Sequence, residues 1–165
     1  MNQRHLYLFT LEVAPLHVGK AYNPLPSHLT LMSRFWSELS PSELSQIVKP
    51  LFRQTPPLEL YFGKTITLGP KHTVVHMIEH TQAMQRLHTQ LYGLLSSIPV
   101  TYTAPQYVDD GYKPHVSMRA ADSFVTGHHQ MTATAYLIEV TKQDSADLRH
   151  ICAKFDLEDS AAHSA

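Results

Sequence analysis

The sequence predicts an α+β domain with mainly antiparallel strands and helices on the outside. Three observations lead there. Several short apolar runs alternate at period two, two longer windows carry apolar residues at helical intervals, and the elements follow the order two strands, helix, strands, second helix, strands. That order joins strands through hairpins more often than through helical crossovers, which favours antiparallel pairing.

His5 to Val13 (HLYLFTLEV) is the opening strand, and Pro15 to Pro26, full of turn formers and without a helical period, is a long loop. The next strand runs from His28 to Phe35. Ser40 to Glu43 is a capping box with proline at the first helical position, and Leu44, Ile47, Val48 and Leu51 give the first helix its apolar stripe, ending near Pro56 and Pro57. Leu58 to Leu68 alternates with an interruption at Gly63, and His72 to Glu79 continues it across the turn formers Gly69 and Pro70. Met84, Leu87, Leu91, Leu94, Leu95 and Ile98 place a second helix over Thr81 to Ser97. A short connection through Pro105 and Gly111 leads to a strand over His115 to Ala121. Met131 to Thr141 is a further strand, with Ala133, Ala135 and Leu137 on one side and Tyr136, Ile138 and Val140 on the other. Ile151, Ala153, Phe155 and Leu157 alternate as the last one.

A chain of 165 residues with 43% apolar content supports one domain with a real core, expected over residues 1–158, with 159–165 as a flexible tail. The formal charge of −1 supplies no global field for gripping a long polyanion, so any nucleic-acid contact is local. Cys152 is the single cysteine, which excludes a disulfide framework and a cysteine-based zinc site. No apolar run reaches membrane-spanning length and the first residues lack a signal-peptide core, so the expectation is a soluble, cytoplasmic protein.

Chemistry enters with His28-Leu29-Thr30 and His115-Val116-Ser117, two widely separated copies of His-x-Thr/Ser, each opening a predicted strand. Residues i and i+2 of a strand share a face, so each copy presents an imidazole beside a hydroxyl. Twelve histidines and 27 Ser or Thr residues yield about two such triplets by chance. Apolar residues at the second and fourth positions, as Leu29/Leu31 and Val116/Met118 supply, cut that to roughly 0.4. A single histidine at a strand end usually caps or fills it. Two in matching contexts, with Pro26 shortly before one and Pro114 directly before the other, make a symmetric acid/base device suited to phosphodiester chemistry without a metal or cofactor.

The stretches His5 to Val13, Ser27 to Phe35 (SHLTLMSRF) and Tyr112 to Arg119 (YKPHVSMR) resemble the 2H phosphoesterases, specifically the 2′-5′ RNA ligase (LigT-like) and cyclic phosphodiesterase branch. Ser117 stands where that family more often has threonine, which keeps the hydroxyl. The resemblance implies a bilobal fold, two pseudo-symmetric lobes with the motifs on inner strands of a central cleft. It also implies a metal-independent RNA 2′,3′-cyclic phosphodiesterase or 2′-5′ RNA ligase-like enzyme, with His28, Thr30, His115 and Ser117 as its catalytic residues.

Around the motifs, Arg119 and Arg34 lie at even separations from Ser117 and Thr30, on the motif face, where a cation can meet phosphate; Arg119 also matches a basic position of the resembled family. Lys113 adjoins the second motif, and Tyr112 and Tyr107 occupy the loop leading into it, where an aromatic ring can stack on a base. The rival constellation is His72, His76 and His80, extended by His88 and the pair His128 and His129. On a helix the first three would share a metal-binding face, but Thr73 to Ile78 favours a strand, which parts positions four apart by roughly 13 Å. These histidines are therefore read as mostly exposed. The expected partner is an RNA end or small nucleotide and the expected state a monomer. The alternative from another class is a non-catalytic module that holds an RNA end or nucleotide on the same fold.

Overall fold

The layout is set by β1 (His5–Glu12), which turns Tyr7, Phe9 and Leu11 to one side and Leu6 and Leu8 to the other. The computed structural model describes residues 3–119 and 124–158. After β1 a loop carrying the short β2 (Ala21–Tyr22) returns to β3 (His28–Ser37), and α1 (Pro41–Arg53) follows. The capping box forms as read: Ser40 Oγ accepts from the Glu43 N–H at 3.2 Å and Glu43 Oε2 from the Ser40 N–H at 2.9 Å. The hairpin β4 (Leu58–Leu68) and β5 (Thr73–Ile78) precedes α2 (Gln82–Ser96), which Thr81 caps. Then come β6 (Val100–Tyr102), two single turns of 3-10 helix, β7 (His115–Ser117), β8 (His129–Thr132), β9 (Thr134–Gln143) and β10 (Ala146–Asp156).

Every strand pair among the described residues is antiparallel, in the order β2-β10-β9-β1-β3-β7-β5-β4-β8, with β6 added along β3. The expected two halves meet at β3 and β7. Leu44, Val48 and Phe52 of α1 and Met84, Leu87, Leu91 and Leu95 of α2 pack with Phe9, Leu31 and Phe35 in one continuous core. Both helices therefore cover the same face of the sheet. The opposite face has a smaller apolar cluster, Leu8, Leu16, Leu25, Tyr136, Ile138, Val140 and Ile151, beside which the cleft opens.

The single strand expected over Met131 to Thr141 is two. Thr132 ends β8, paired with Leu58, while Thr134 begins β9, paired with Asp156, so only Ala133 joins strands that stand six places apart in the sheet order. Two residues span at most about 7 Å, so the sheet must curl until these strands meet. The assigned faces of Ala135, Leu137, Tyr136, Ile138 and Val140 hold.

Other differences have local causes. A bulge between Ile151 and Ala153 breaks the simple alternation of the last strand, leaving Ile151 on the cleft side and Ala153 and Phe155 on the helix side. The run through Val100 to Tyr102, read as connection, is a strand because it completes the edge beside Phe35 to Ser37. The second motif strand ends at Ser117 instead of reaching Ala121, although the Met118 N–H still donates to the Val74 carbonyl at 3.1 Å, and the end expected at Ala121, like the tail 159–165, falls outside the described residues.

Candidate active site

The two motifs face each other because their strands are neighbours. β3 and β7 pair antiparallel with Leu29 opposite Val116, both buried toward the helices. That register sets His28 opposite Ser117 and Thr30 opposite His115, a local twofold arrangement in which each imidazole faces the other motif's hydroxyl. Diagonal neighbours of this kind are roughly 7–8 Å apart at the backbone, a span within which two side chains can flank one phosphate. All four residues are half-buried and line a cleft of about 420 Å³.

The backbone orients both rings in the same way. His28 Nδ1 lies 2.9 Å from the Pro26 carbonyl oxygen and His115 Nδ1 lies 2.7 Å from that of Lys113, in each case two residues upstream. A carbonyl only accepts, so Nδ1–H donates in both rings and Nε2 is the nitrogen left for proton transfer, bare when a ring is neutral and proton-bearing when it is cationic. The His28 pKa is pushed down to about 4, first by burial and then by the charges of Arg119, Arg149 and His115; the Pro26 carbonyl opposes this. His28 is therefore neutral at physiological pH, ready to accept a proton.

Arg34, Lys113, Arg119 and Arg149 line the same cleft, and no carboxylate does so among the described residues. Arg119 donates from Nε to the Leu25 carbonyl at 3.2 Å, and Arg34 meets Asp147 at 3.3 Å. Arg34 reaches the cleft despite two irregularities of register between β1 and β3; each adds one residue to β3, so together they preserve the parity on which its placement depended. Arg149, on β10, was missed by sequence reasoning. Its one local signal is the alternation Asp147-x-Arg149 in a strand, which says nothing of the motif it approaches.

Tyr112 lines the cleft and also serves as a strut. It is buried, its ring lies face to face with His88 at 4.0 Å and 1°, and its hydroxyl donates to the Thr30 carbonyl at 3.0 Å. Burial pushes its pKa well above the usual tyrosine range. Tyr107, 44% exposed on the cleft lining, is the aromatic ring that remains open to a base.

His76 and His88, read as mostly exposed, are 3% and 0% exposed. His88 donates from Nδ1 to the Leu31 carbonyl and accepts at Nε2 from the Asp109 N–H, both at 2.8 Å, and its burial lowers its pKa. Leu31 is the extra residue of the β3 bulge and has no partner on β1. His88 and Tyr112 thus satisfy consecutive carbonyls that fix the strand behind Thr30. The low charge and high apolar content around position 88 signalled burial; the helical stripe Met84, Leu87, Leu91 brackets it. His76 sits on β5 and its neighbours in the rival constellation, His72 and His80, lie beyond its two ends; no group of three metal-ligand side chains forms among the described residues.

Similar architectures recur among solved structures. A phosphoesterase superposes with a TM-score of 0.65 at 12% identity, over 94% of this chain and 99% of the other. Escherichia coli LigT complexed with 3′-AMP gives 0.62 at 12%, over 94% and 99%, and a protein of Thermus thermophilus gives 0.59 at 17%, over 94% and 98%. At these identities the likeness establishes the fold. No curated protein matches in sequence. The family described as the 2′-5′ RNA ligase superfamily matches residues 8–161, and the chain belongs to that superfamily.

Proposed function

We propose that this protein is a metal-independent phosphoesterase that opens 2′,3′-cyclic phosphates at RNA ends or on small nucleotides, with the 2′-5′ linkage as its related substrate. The observation that carries this is the paired geometry: two rings held by equivalent backbone carbonyls, each opposite the other's hydroxyl, in a cleft whose charged lining is cationic among the described residues. Escherichia coli LigT has been captured with 3′-AMP, ATP, NADP+ and phosphate, ligands of the class this cleft would take.

His28 enters as the base because burial holds it neutral. Its Nε2 takes a proton from water as the water oxygen attacks phosphorus in line with the departing ribose oxygen. The P–O bond to that oxygen breaks as His115, entering the step as the imidazolium, gives it the Nε2 proton, leaving a phosphate monoester, a ribose hydroxyl and a neutral His115. Thr30 and Ser117 donate to nonbridging oxygens, where charge builds. With a 5′-hydroxyl in place of water, the same ring opening forms a P–O5′ bond, breaks the P–O3′ bond and leaves a 2′-5′ link; its reverse cleaves that link to the cyclic phosphate. The reaction needs no redox change, which is compatible with the cytoplasmic location expected from sequence; among the described residues no helix is long and apolar enough to cross a membrane.

The test is incubation of EDTA-treated protein with adenosine 2′,3′-cyclic phosphate and an RNA ending in the same group, products read by mass and phosphorus NMR. Monoester formation at an undiminished rate is expected. Recovery of intact substrate after demonstrable binding would replace the enzyme with the non-catalytic end-binding module.

A further inference from the structure

A cyclic phosphodiester carries one negative charge, yet the cleft is lined by four permanent cations. Lys113 and Arg119 flank the second motif. Arg34 and Arg149 belong elsewhere, on β3 beyond its bulges and on the outer strand β10. They are gathered by Asp147: Arg34 meets its carboxylate and Arg149 donates to its backbone carbonyl, each at 3.3 Å. The carboxylate itself is ion-paired with Arg34, while Arg149 holds only the backbone of the same residue. The crowding is visible in Arg149, whose pKa is lowered, first by burial and then by Arg34, with Arg119 adding to it and Asp147 opposing. Beside them Ser33 lines the cleft with a buried hydroxyl that has no hydrogen-bond partner among the described residues. A buried unpaired donor and excess positive charge at one place are together what an anion relieves.

We propose that Arg34 and Arg149, with Ser33, form a second anion subsite that takes the 5′-side phosphate of the same nucleotide whose cyclic phosphate lies between the motifs. The substrate class is then a nucleoside 2′,3′-cyclic phosphate bearing a further phosphate at its 5′ position, as at the end of a chain, in preference to the bare nucleoside form. Spacing supports this. Arg34 is four residues along β3 from Thr30, roughly 13 Å of regular strand, shortened by the two extra residues that β3 carries against β1 here, and its long side chain can return over part of that distance. The stretch between is floored by Leu8 and Leu25, an apolar surface suited to a sugar. The inference deepens the proposed function and rests on it for the identity of the first phosphate.

The experiment measures equilibrium binding, which does not depend on turnover. Calorimetry compares adenosine 3′,5′-bisphosphate with 3′-AMP on the wild-type protein, on Arg149→Gln and on Arg149→Lys. The wild type is expected to prefer the bisphosphate by about 10-fold or more, the size of one charge-assisted contact. Arg149→Gln brings the two ligands to near-equal affinity, and Arg149→Lys retains part of the preference. Equal affinities in the wild type would overturn the subsite. So would a loss in Arg149→Gln that is as large for 3′-AMP as for the bisphosphate, since that reports a general field and no specific contact. A clear bisphosphate preference in a protein that hydrolyses no cyclic phosphate would sink the enzymatic reading and leave the subsite standing.

Discussion

Alanine at His28 or at His115 is expected to lower turnover of a 2′,3′-cyclic phosphate by about 10²–10⁴-fold while the protein stays folded. That range corresponds to about 2.7–5.5 kcal/mol of barrier. Each ring moves one of the two protons that the reaction requires, and no neighbouring group can replace it, because the cleft is lined by no carboxylate among the described residues. Neither ring belongs to the helix-side core that holds the sheet; Leu29 and Val116 between them do. Circular dichroism and urea titration of each variant separate lost chemistry from lost structure. The two losses should not multiply: once one proton transfer is gone, the other ring has little concerted work left, and the double variant falls only a few-fold below the weaker single. Full activity in either single variant contradicts the assignment.

The second large effect is on stability against pH. The unfolded chain binds a proton at His28 near 6.5, whereas in the folded protein that residue binds it only near pH 4, mainly because of burial. Between those values the unfolded state holds more protons, so stability is complete above about pH 6.5 and is lost as pH falls toward 4. The full loss assigned to this ring is roughly 3 kcal/mol, at one pKa unit per 1.36 kcal/mol. His88, lowered by burial as well, pushes in the same direction. Urea unfolding at pH 7.5 and 4.5 should therefore show a steep acid loss in wild type and a shallower one in His28→Gln, by about 2 kcal/mol or more. Parallel pH dependences would show that His28 is not desolvated in the folded state.

How far the sequence reveals this molecule depends on the range of the physics. Capping chemistry and helical periodicity act within a few residues, and α1 and α2 came out close to their expected bounds. Period-two alternation likewise located β4 and β5 and the faces of β9. The division at Ala133 was not legible, because it depends on the curl that brings β8 and β9 together, and curl arises from the pairing of the whole sheet. Bulges at Leu31 and Cys152 escaped for the same reason: an extra residue is defined only against its partner strand. The site divides along the same line. His28, Thr30, His115 and Ser117 stand in two short motifs, and the β3–β7 pairing brings them to one cleft with Lys113, Arg34 and Arg119. Arg149 arrives from a strand that sequence adjacency could not connect to them. The strut role of Tyr112 was not legible, because its packing against His88 on α2 is a contact between distant segments.

The central claim, that two imidazoles converge on one anion with matched orientations, is open to a single measurement: histidine nitrogen NMR, first at about pH 9, where histidine is neutral, and then during titration with 3′-AMP at neutral pH. Both His28 and His115 should show protonated Nδ1 and bare Nε2 in the free protein, and one equivalent of nucleotide should shift both Nε2 resonances along a common binding curve. An Nε2–H form in either ring, or a response confined to one of them, would contradict the account.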